Sequence, residues 1–85
     1  MEVSDIKRLI ENGIPEADVE VAGEGCNARV RVVSPAFEGK NKLAQQRMVY
    51  ACLGEKIASG EIHALSIKSF TPEQWQAFPD KQNVI

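Results

Sequence analysis

Two runs of alternating apolar and polar residues, joined by a glycine-rich connection, constrain the fold of this chain more than any other feature. The first run covers residues 17–21 and the second covers residues 27–32. A period of two places the apolar side chains on one face, as in a half-buried strand. Because Gly23-Glu24-Gly25 is a short and flexible connection, the two strands are expected to form an antiparallel hairpin, with Cys26 at its tip or just inside it.

The remainder of the chain alternates between helical and strand patterns. Apolar residues recur every three or four positions over residues 3–14, which predicts an amphipathic helix. A long helix is expected over residues 41–59 with Asn41 as its N-cap, followed by a strand over residues 62–70. The Thr-Pro-Glu-Gln sequence at 71–74 is typical of the start of another helix. The predicted order α-β-β-α-β-α indicates an α+β fold, in which a three-stranded sheet has its helices packed on one face.

Length and composition restrict the class of protein. A chain of 85 residues allows one domain with a thin core and leaves no room for a deep enclosed active site. The net charge of -2 argues against a protein that coats nucleic acid through its overall charge. The apolar runs are too short to span a membrane and the acidic N-terminus is unlike a secretion signal, so a cytoplasmic location is expected. We expect one domain over residues 1–78 and a mobile tail over residues 79–85.

Five short motifs, in this order along the chain, closely resemble the pattern of the BolA-like family. They are Phe37-Glu38-Gly39-Lys40, Gln46-Arg47, Val49-Tyr50, His63-Ala64-Leu65-Ser66-Ile67-Lys68 and Thr71-Pro72. The resemblance covers about residues 1–75, and the short length and acidic N-terminus are most similar to the IbaG branch. It implies an α-β-β-α-β fold with a short further helix, similar to a class II KH domain. That fold agrees with the order of elements inferred from periodicity and capping.

The resemblance also implies a role in iron–sulfur metabolism. Members of the family form complexes with monothiol glutaredoxins in which a [2Fe-2S] cluster bridges the two proteins. Glutaredoxin supplies a cysteine and glutathione a second thiolate, while the BolA-like partner supplies a histidine from the start of its third strand and a histidine or cysteine from the hairpin loop. By this resemblance the ligands are His63 and Cys26. Many relatives have Ser-His where this chain has Cys26-Asn27, so its loop ligand resembles the cysteine type.

Both residue types suit the implied chemistry. Imidazole offers a nitrogen lone pair near pH 7, and thiolate is the usual protein ligand of iron–sulfur iron. Such a cluster needs four ligands, so two from this chain require a partner. The alternative interpretation is that His63 is a partly covered strand residue and that Cys26 is a solvent-facing thiol with no functional role. Tyr50 and Cys52, both within the long helix, are interpreted as packing residues.

Other functions have less support from the sequence. An enzyme is not expected, because a cysteine–histidine nucleophile pair also needs an oxyanion hole and a pocket. The main alternative is a DNA-binding transcriptional regulator, since the family includes proteins described as transcriptional regulators and KH-like folds bind single strands. Lys40, Lys42 and Arg47 surround the start of the long helix, and Lys68 adds charge on the sheet.

The same four cations allow two other interpretations. They could form an ordinary solvated face, or contact acidic groups of a glutaredoxin or the carboxylates of glutathione. The chain also lacks a Gly-x-x-Gly clamp between two helices, which true KH domains use to hold a nucleic-acid backbone. A third and weaker hypothesis is a stress-response adaptor without metal. In the absence of a partner, a monomer or a weak homodimer is expected.

Overall fold

The computed structural model describes residues 3–24, 27–60 and 64–79, and the structural statements below concern these residues. The elements follow the predicted order, with one additional 3-10 turn before the long helix. They are α1 (Val3–Gly13), β1 (Asp18–Glu24), β2 (Asn27–Val33), the 3-10 turn (Pro35–Phe37), α2 (Lys42–Ala58), β3 (Ala64–Phe70) and α3 (Pro72–Ala77). The predicted α+β class is confirmed. The tail predicted over residues 79–85 lies, beyond Pro79, outside the described part of the chain.

The three strands form one sheet in the order β1-β2-β3. β1 and β2 are antiparallel, with Asp18 opposite Val33, as expected for the hairpin. β2 and β3 are parallel, with Asn27 opposite Ala64. A parallel pair requires a long crossover connection, and α2 supplies it by carrying the chain back to the end of the sheet at which β2 began.

The core lies between the sheet and the two long helices. Its apolar members are buried on the facing sides of these elements: Ile6, Ile10, Ile14, Val19, Ala28, Val30, Val32, Phe37, Val49 and Leu53. In α2 the buried positions Gln45, Val49 and Leu53 are four residues apart, so they form one stripe of the helix. Cys52 packs against the core, as predicted. The prediction for Tyr50 was wrong: its side chain is 42% exposed, because it lies about 100° around the helix from Val49.

Local capping fixes where the helices after β2 begin. The Asn41 side chain accepts a hydrogen bond of 2.8 Å from the Ala44 backbone N–H, as expected for the N-cap of α2. Thr71 and Gln74 form a reciprocal capping box at α3, with donor–acceptor distances of 3.0 and 3.1 Å. Both helix starts were therefore encoded in short, local sequences.

The short helix α3 is connected to the sheet through aromatic rings and one buried cation. Phe70 at the end of β3 has its ring centre 5.2 Å from that of Trp75. The Arg31 guanidinium lies 4.6 Å from the centre of the Trp75 ring and is 7% exposed. Its Nη1 lies 3.5 Å from Asp18 Oδ2 and its Nε 3.6 Å from Glu20 Oε2. Arg31 thus balances Asp18 and Glu20 of β1 and anchors α3 to the central strand.

Candidate functional site

The two predicted iron ligands, Cys26 and His63, lie outside the residues that the structure describes. The structure does describe the residue that follows each of them in the chain. Asn27 is the first residue of β2, Ala64 is the first residue of β3, and the two are Cα partners across the parallel ladder. The chain therefore enters two neighbouring strands at the same end of the sheet, each time one residue after a predicted ligand.

This arrangement depends on the tertiary structure and not on the hairpin alone. The hairpin positions β2 beside β1, but only the crossover through α2 positions the start of β3 beside the start of β2. Val30 and Val32 of β2 hold this crossover in place, because both are completely or almost completely buried beneath the helices. The end of the sheet at which the two strands begin is thus a defined part of the fold.

The described residues contain one free cysteine, Cys52. It is not part of a metal-binding group of side chains within the described structure. Its Sγ donates a weak hydrogen bond to the Met48 carbonyl oxygen at 3.4 Å. Burial raises the pKa of the Cys52 thiol above its usual value, which disfavours the thiolate that binds metal. Within residues 3–24, 27–60 and 64–79 there is also no group of three or more His, Cys, Asp or Glu side chains that could hold a metal ion.

Two of the four predicted nucleic-acid-binding cations meet in one groove. Lys42 and Lys68 line an open groove of about 260 Å³ together with Gln46 of α2 and the aromatic residues Phe70 and Phe78. The Lys42 ammonium donates a hydrogen bond to the Ser69 carbonyl oxygen and lies 4.6 Å from the centre of the Phe70 ring. Burial lowers the pKa of Lys42. The Lys42 side chain is therefore already engaged within the fold.

The other two predicted cations do not line this groove. Lys40 and Arg47 are both exposed. Arg47 follows Lys42 by five residues on α2, which places it about 140° around the helix. The structure therefore separates Arg47 from Lys42 and Lys68. Of the three cations that the sequence places around the start of the long helix, only Lys42 shares this groove with Lys68 of the sheet.

Sequence reasoning missed the most connected polar residue of this region, Gln45. Its Nε2 donates hydrogen bonds to Lys40 O at 2.9 Å and to Phe37 O at 3.4 Å, and its Oε1 accepts one of 2.8 Å from Ser69 Oγ. The side chain is 1% exposed. The signal was present in the sequence, because Gln45 is a polar residue four positions before Val49 on the apolar stripe of α2.

Comparisons with known proteins agree with this fold. Residues 11–74 match the model of the family described as BolA-like protein. The chain is 37% identical over 76 residues to an uncharacterised protein in the rpoN-murA intergenic region of Acinetobacter guillouiae, covering 89% of this chain and 92% of the relative. It is 37% identical over 75 residues to the acid stress protein IbaG of Escherichia coli K12, covering 88% and 89%.

Solved structures show the same similarity. A BolA protein homologue from Coxiella burnetii superposes with a TM-score of 0.80 at 39% sequence identity, covering 89% of this chain and 97% of that structure. Sequence and fold together show that the chain belongs to the BolA-like family. Its similarity to IbaG over most of both chains places it in the IbaG branch of that family, as the motifs suggested. In the part of the chain that the structure describes, no helix has the length and apolar character needed to cross a membrane.

Proposed function

We propose that this BolA-like chain is a non-enzymatic partner of a monothiol glutaredoxin and shares the ligation of a bridging [2Fe-2S] cluster through Cys26 and His63. The observation that best supports the proposal is the pairing of Asn27 with Ala64 across the parallel strands. Through this pairing, two proposed ligands that are far apart in the sequence each precede the first residue of one of two neighbouring strands. Glutaredoxin and glutathione would contribute the other ligands.

Chain connectivity limits the separation of the two proposed ligands. Consecutive Cα atoms are about 3.8 Å apart, and paired Cα atoms in neighbouring strands are about 4.8 Å apart. Two residues that each lie one step before such a pair are at most about 12 Å apart at their Cα atoms. This upper limit is compatible with a thiolate and an imidazole that reach the same metal centre.

The chemistry of the donor set also fits the cluster. Cys26 would bind as a thiolate and His63 as a neutral imidazole, both of which occur as ligands of [2Fe-2S] iron. When bound, the cluster would supply a one-electron redox centre and an iron–sulfur unit for trafficking or for iron and stress signalling. A histidine binds metal through its neutral imidazole, so cluster ligation by His63 would compete with protons. One relative of this chain is named acid stress protein IbaG.

The first test is a spectroscopic titration of a cluster-loaded monothiol glutaredoxin and glutathione with this protein. Visible absorption and circular dichroism report the ligands of the cluster. We expect the wild-type protein to change the spectrum, and the substitutions Cys26→Ala and His63→Ala to reduce or abolish that change. Cys52→Ala is the matched control, because it removes a cysteine from the helical core without touching either strand start. If the wild-type protein leaves the cluster spectrum unchanged, the proposal is wrong.

A further inference from the structure

One edge of the sheet is open along β3. The Ser34 N–H donates to the Phe70 carbonyl oxygen at 3.0 Å, so the peptide group of Phe70 faces the β2 side. Backbone groups alternate in direction along a strand, and those of Leu65, Ile67 and Ser69 therefore face away from β2. Since β3 is the last strand of the sheet built from the described residues, these groups form an edge that can pair with another strand.

A groove follows this edge. The four consecutive residues Ile67–Phe70 line it, together with Lys42 and Gln46 of α2 and with Phe78. Successive side chains of a strand point to opposite faces of the sheet, so a groove that contacts all four of these residues must run along the strand edge. A second open groove of about 420 Å³ shares Lys42 and Phe78 with it and continues to Pro79. The two grooves therefore adjoin one another at Lys42, Phe70 and Phe78.

The edge is lined with positive charge. The Lys42 ammonium covers the Ser69 carbonyl oxygen, one of the outward-facing acceptors. Lys68 is exposed beside it. A lysine that covers an edge acceptor is a typical protection against uncontrolled strand pairing. Because an ammonium is a stronger donor than a neutral amide N–H, its release from Ser69 O requires that it gain another partner, such as a carboxylate. The opposite edge of the sheet, β1, carries the acidic residues Asp18 and Glu20 instead.

We propose that the β3 edge is a docking site for an extended acidic segment of a partner protein, which adds a fourth strand beside β3. The backbone of Ile67 pairs with the segment, and an N–H of the segment replaces the Lys42 ammonium on the Ser69 carbonyl oxygen. The released ammonium and Lys68 then contact carboxylates of the segment. Apolar side chains of the segment pack in the groove against Phe70. The site involves neither Cys26 nor His63 and does not rest on the iron–sulfur proposal.

The charge of the edge favours an acidic partner segment over a second copy of this chain. Antiparallel pairing of two β3 strands would bring the positive Lys68 side chains of both copies to one edge. The β1 strand of a second copy is acidic, but its Asp18 and Glu20 already lie 3.5 and 3.6 Å from Arg31 within their own chain. An acidic segment that is unpaired before binding has no such competing partner.

The test is an NMR titration of the isotope-labelled full chain with a synthetic peptide of alternating glutamate and valine, blocked at both ends. We expect chemical-shift changes and slower amide exchange at Leu65, Ile67 and Ser69. A peptide of the same sequence with N-methylated backbone amides is the matched control, because it keeps the charge but cannot donate to the edge. Its affinity should be lower by about tenfold or more, because two or more hydrogen bonds to the edge are lost.

Two charge-reversal variants test the electrostatic part of the site. Lys68→Glu should weaken peptide binding about three- to tenfold, because an attractive cross-strand pair becomes repulsive. Arg47→Glu makes the same change at an exposed residue outside the groove and should leave the affinity unchanged. Cys26→Ala and His63→Ala change residues that are not part of the docking site and should leave the affinity for the peptide unchanged, so a failure here is distinguishable from a failure of the iron–sulfur proposal.

Several results would overturn the docking site. Equal binding of the methylated peptide would show that no strand is added, and equal weakening by Arg47→Glu would show attraction to overall charge. Amide protection at Ile67 in the free protein would assign the edge to another part of this chain. Shift changes that depend on protein concentration without peptide would assign it to a second copy.

Discussion

At the scale of single residues, Gln45 connects three separate parts of the chain. Its amide bridges the 3-10 turn at Phe37, the carbonyl oxygen of Lys40 and the Ser69 hydroxyl of β3. All of these contacts are buried or partly buried, so water cannot easily replace the amide. The segment that resembles the Phe-Glu-Gly-Lys motif of the family is therefore held in place by a residue outside that motif.

We expect Gln45→Leu to lower the free energy of unfolding by about 2–4 kcal/mol, because it leaves buried donors and acceptors without partners. Gln46→Leu is the matched control and should change stability by less than about 1 kcal/mol, since Gln46 is only half-buried at the edge of the groove. Urea unfolding followed by far-UV circular dichroism measures both. Equal effects of the two substitutions would contradict the structural role of the Gln45 amide.

At the scale of elements, the contact between α1 and α2 depends on a glycine at the end of α1. A Cβ atom added at Gly13 would lie 2.5 Å from Cys52 Sγ, closer than real side chains approach. Gly54, in the interior of α2, has no atom within 4 Å of the same hypothetical position in the described structure. Gly13 is therefore needed for the close packing of α1 against α2, whereas packing does not require a glycine at position 54.

This contrast predicts opposite effects for two alanine substitutions. Gly54→Ala should stabilise the protein by about 0.5–1 kcal/mol through better helix propensity. Gly13→Ala should destabilise it by about 1–2 kcal/mol through overpacking against Cys52. Adding Cys52→Ala removes the sulfur and should make the change at position 13 neutral or stabilising. Thermal and urea unfolding of this double-mutant cycle gives the coupling, and a coupling near zero would show that the sulfur does not set the helix distance.

At the scale of the whole molecule, the distribution of charge limits binding to nucleic acid. The net charge is -2, and of the four cations considered for phosphate contact Lys42 and Lys68 line one groove, while Lys40 and Arg47 lie outside it. Lys42 is further engaged with Ser69 O and the Phe70 ring. Phosphate contact by Lys42 would therefore have to replace its existing contacts with Ser69 and Phe70.

Salt dependence measures how many phosphates are contacted. If all four cations bound phosphate on duplex DNA, the logarithm of the affinity would fall with the logarithm of salt concentration with a slope of about -3.6. We expect any binding to be weak, with a slope no steeper than about -2. Fluorescence anisotropy with a labelled duplex over a range of salt concentrations tests this. A steep slope that becomes shallower by about 0.9 in Arg47→Gln would instead support the DNA-binding alternative.

The order of elements was predictable because its signals are local. The alternation over residues 17–21 and 27–32, the cap at Asn41 and the capping sequence at Thr71 each act within a few residues. Tyr50 shows the limit of such reasoning. Its aromatic ring suggested a core position, but Tyr50 lies about 100° around α2 from the apolar stripe that contains Val49. The width of the stripe that is actually buried depends on how closely the helix packs against the sheet.

By itself, then, the sequence determined the type and order of the elements and the family pattern, and the resemblance to that family predicts Cys26 and His63 as iron ligands. Only the tertiary structure decided that β3 lies parallel to β2, with the residues after Cys26 and His63 paired at one end of the sheet. It also decided that Lys42 and Lys68 meet along an open strand edge while Arg47 does not. The physical reason is that strand pairing and helix rotation depend on contacts between residues far apart in the chain. The local periodicity of the sequence does not specify these contacts.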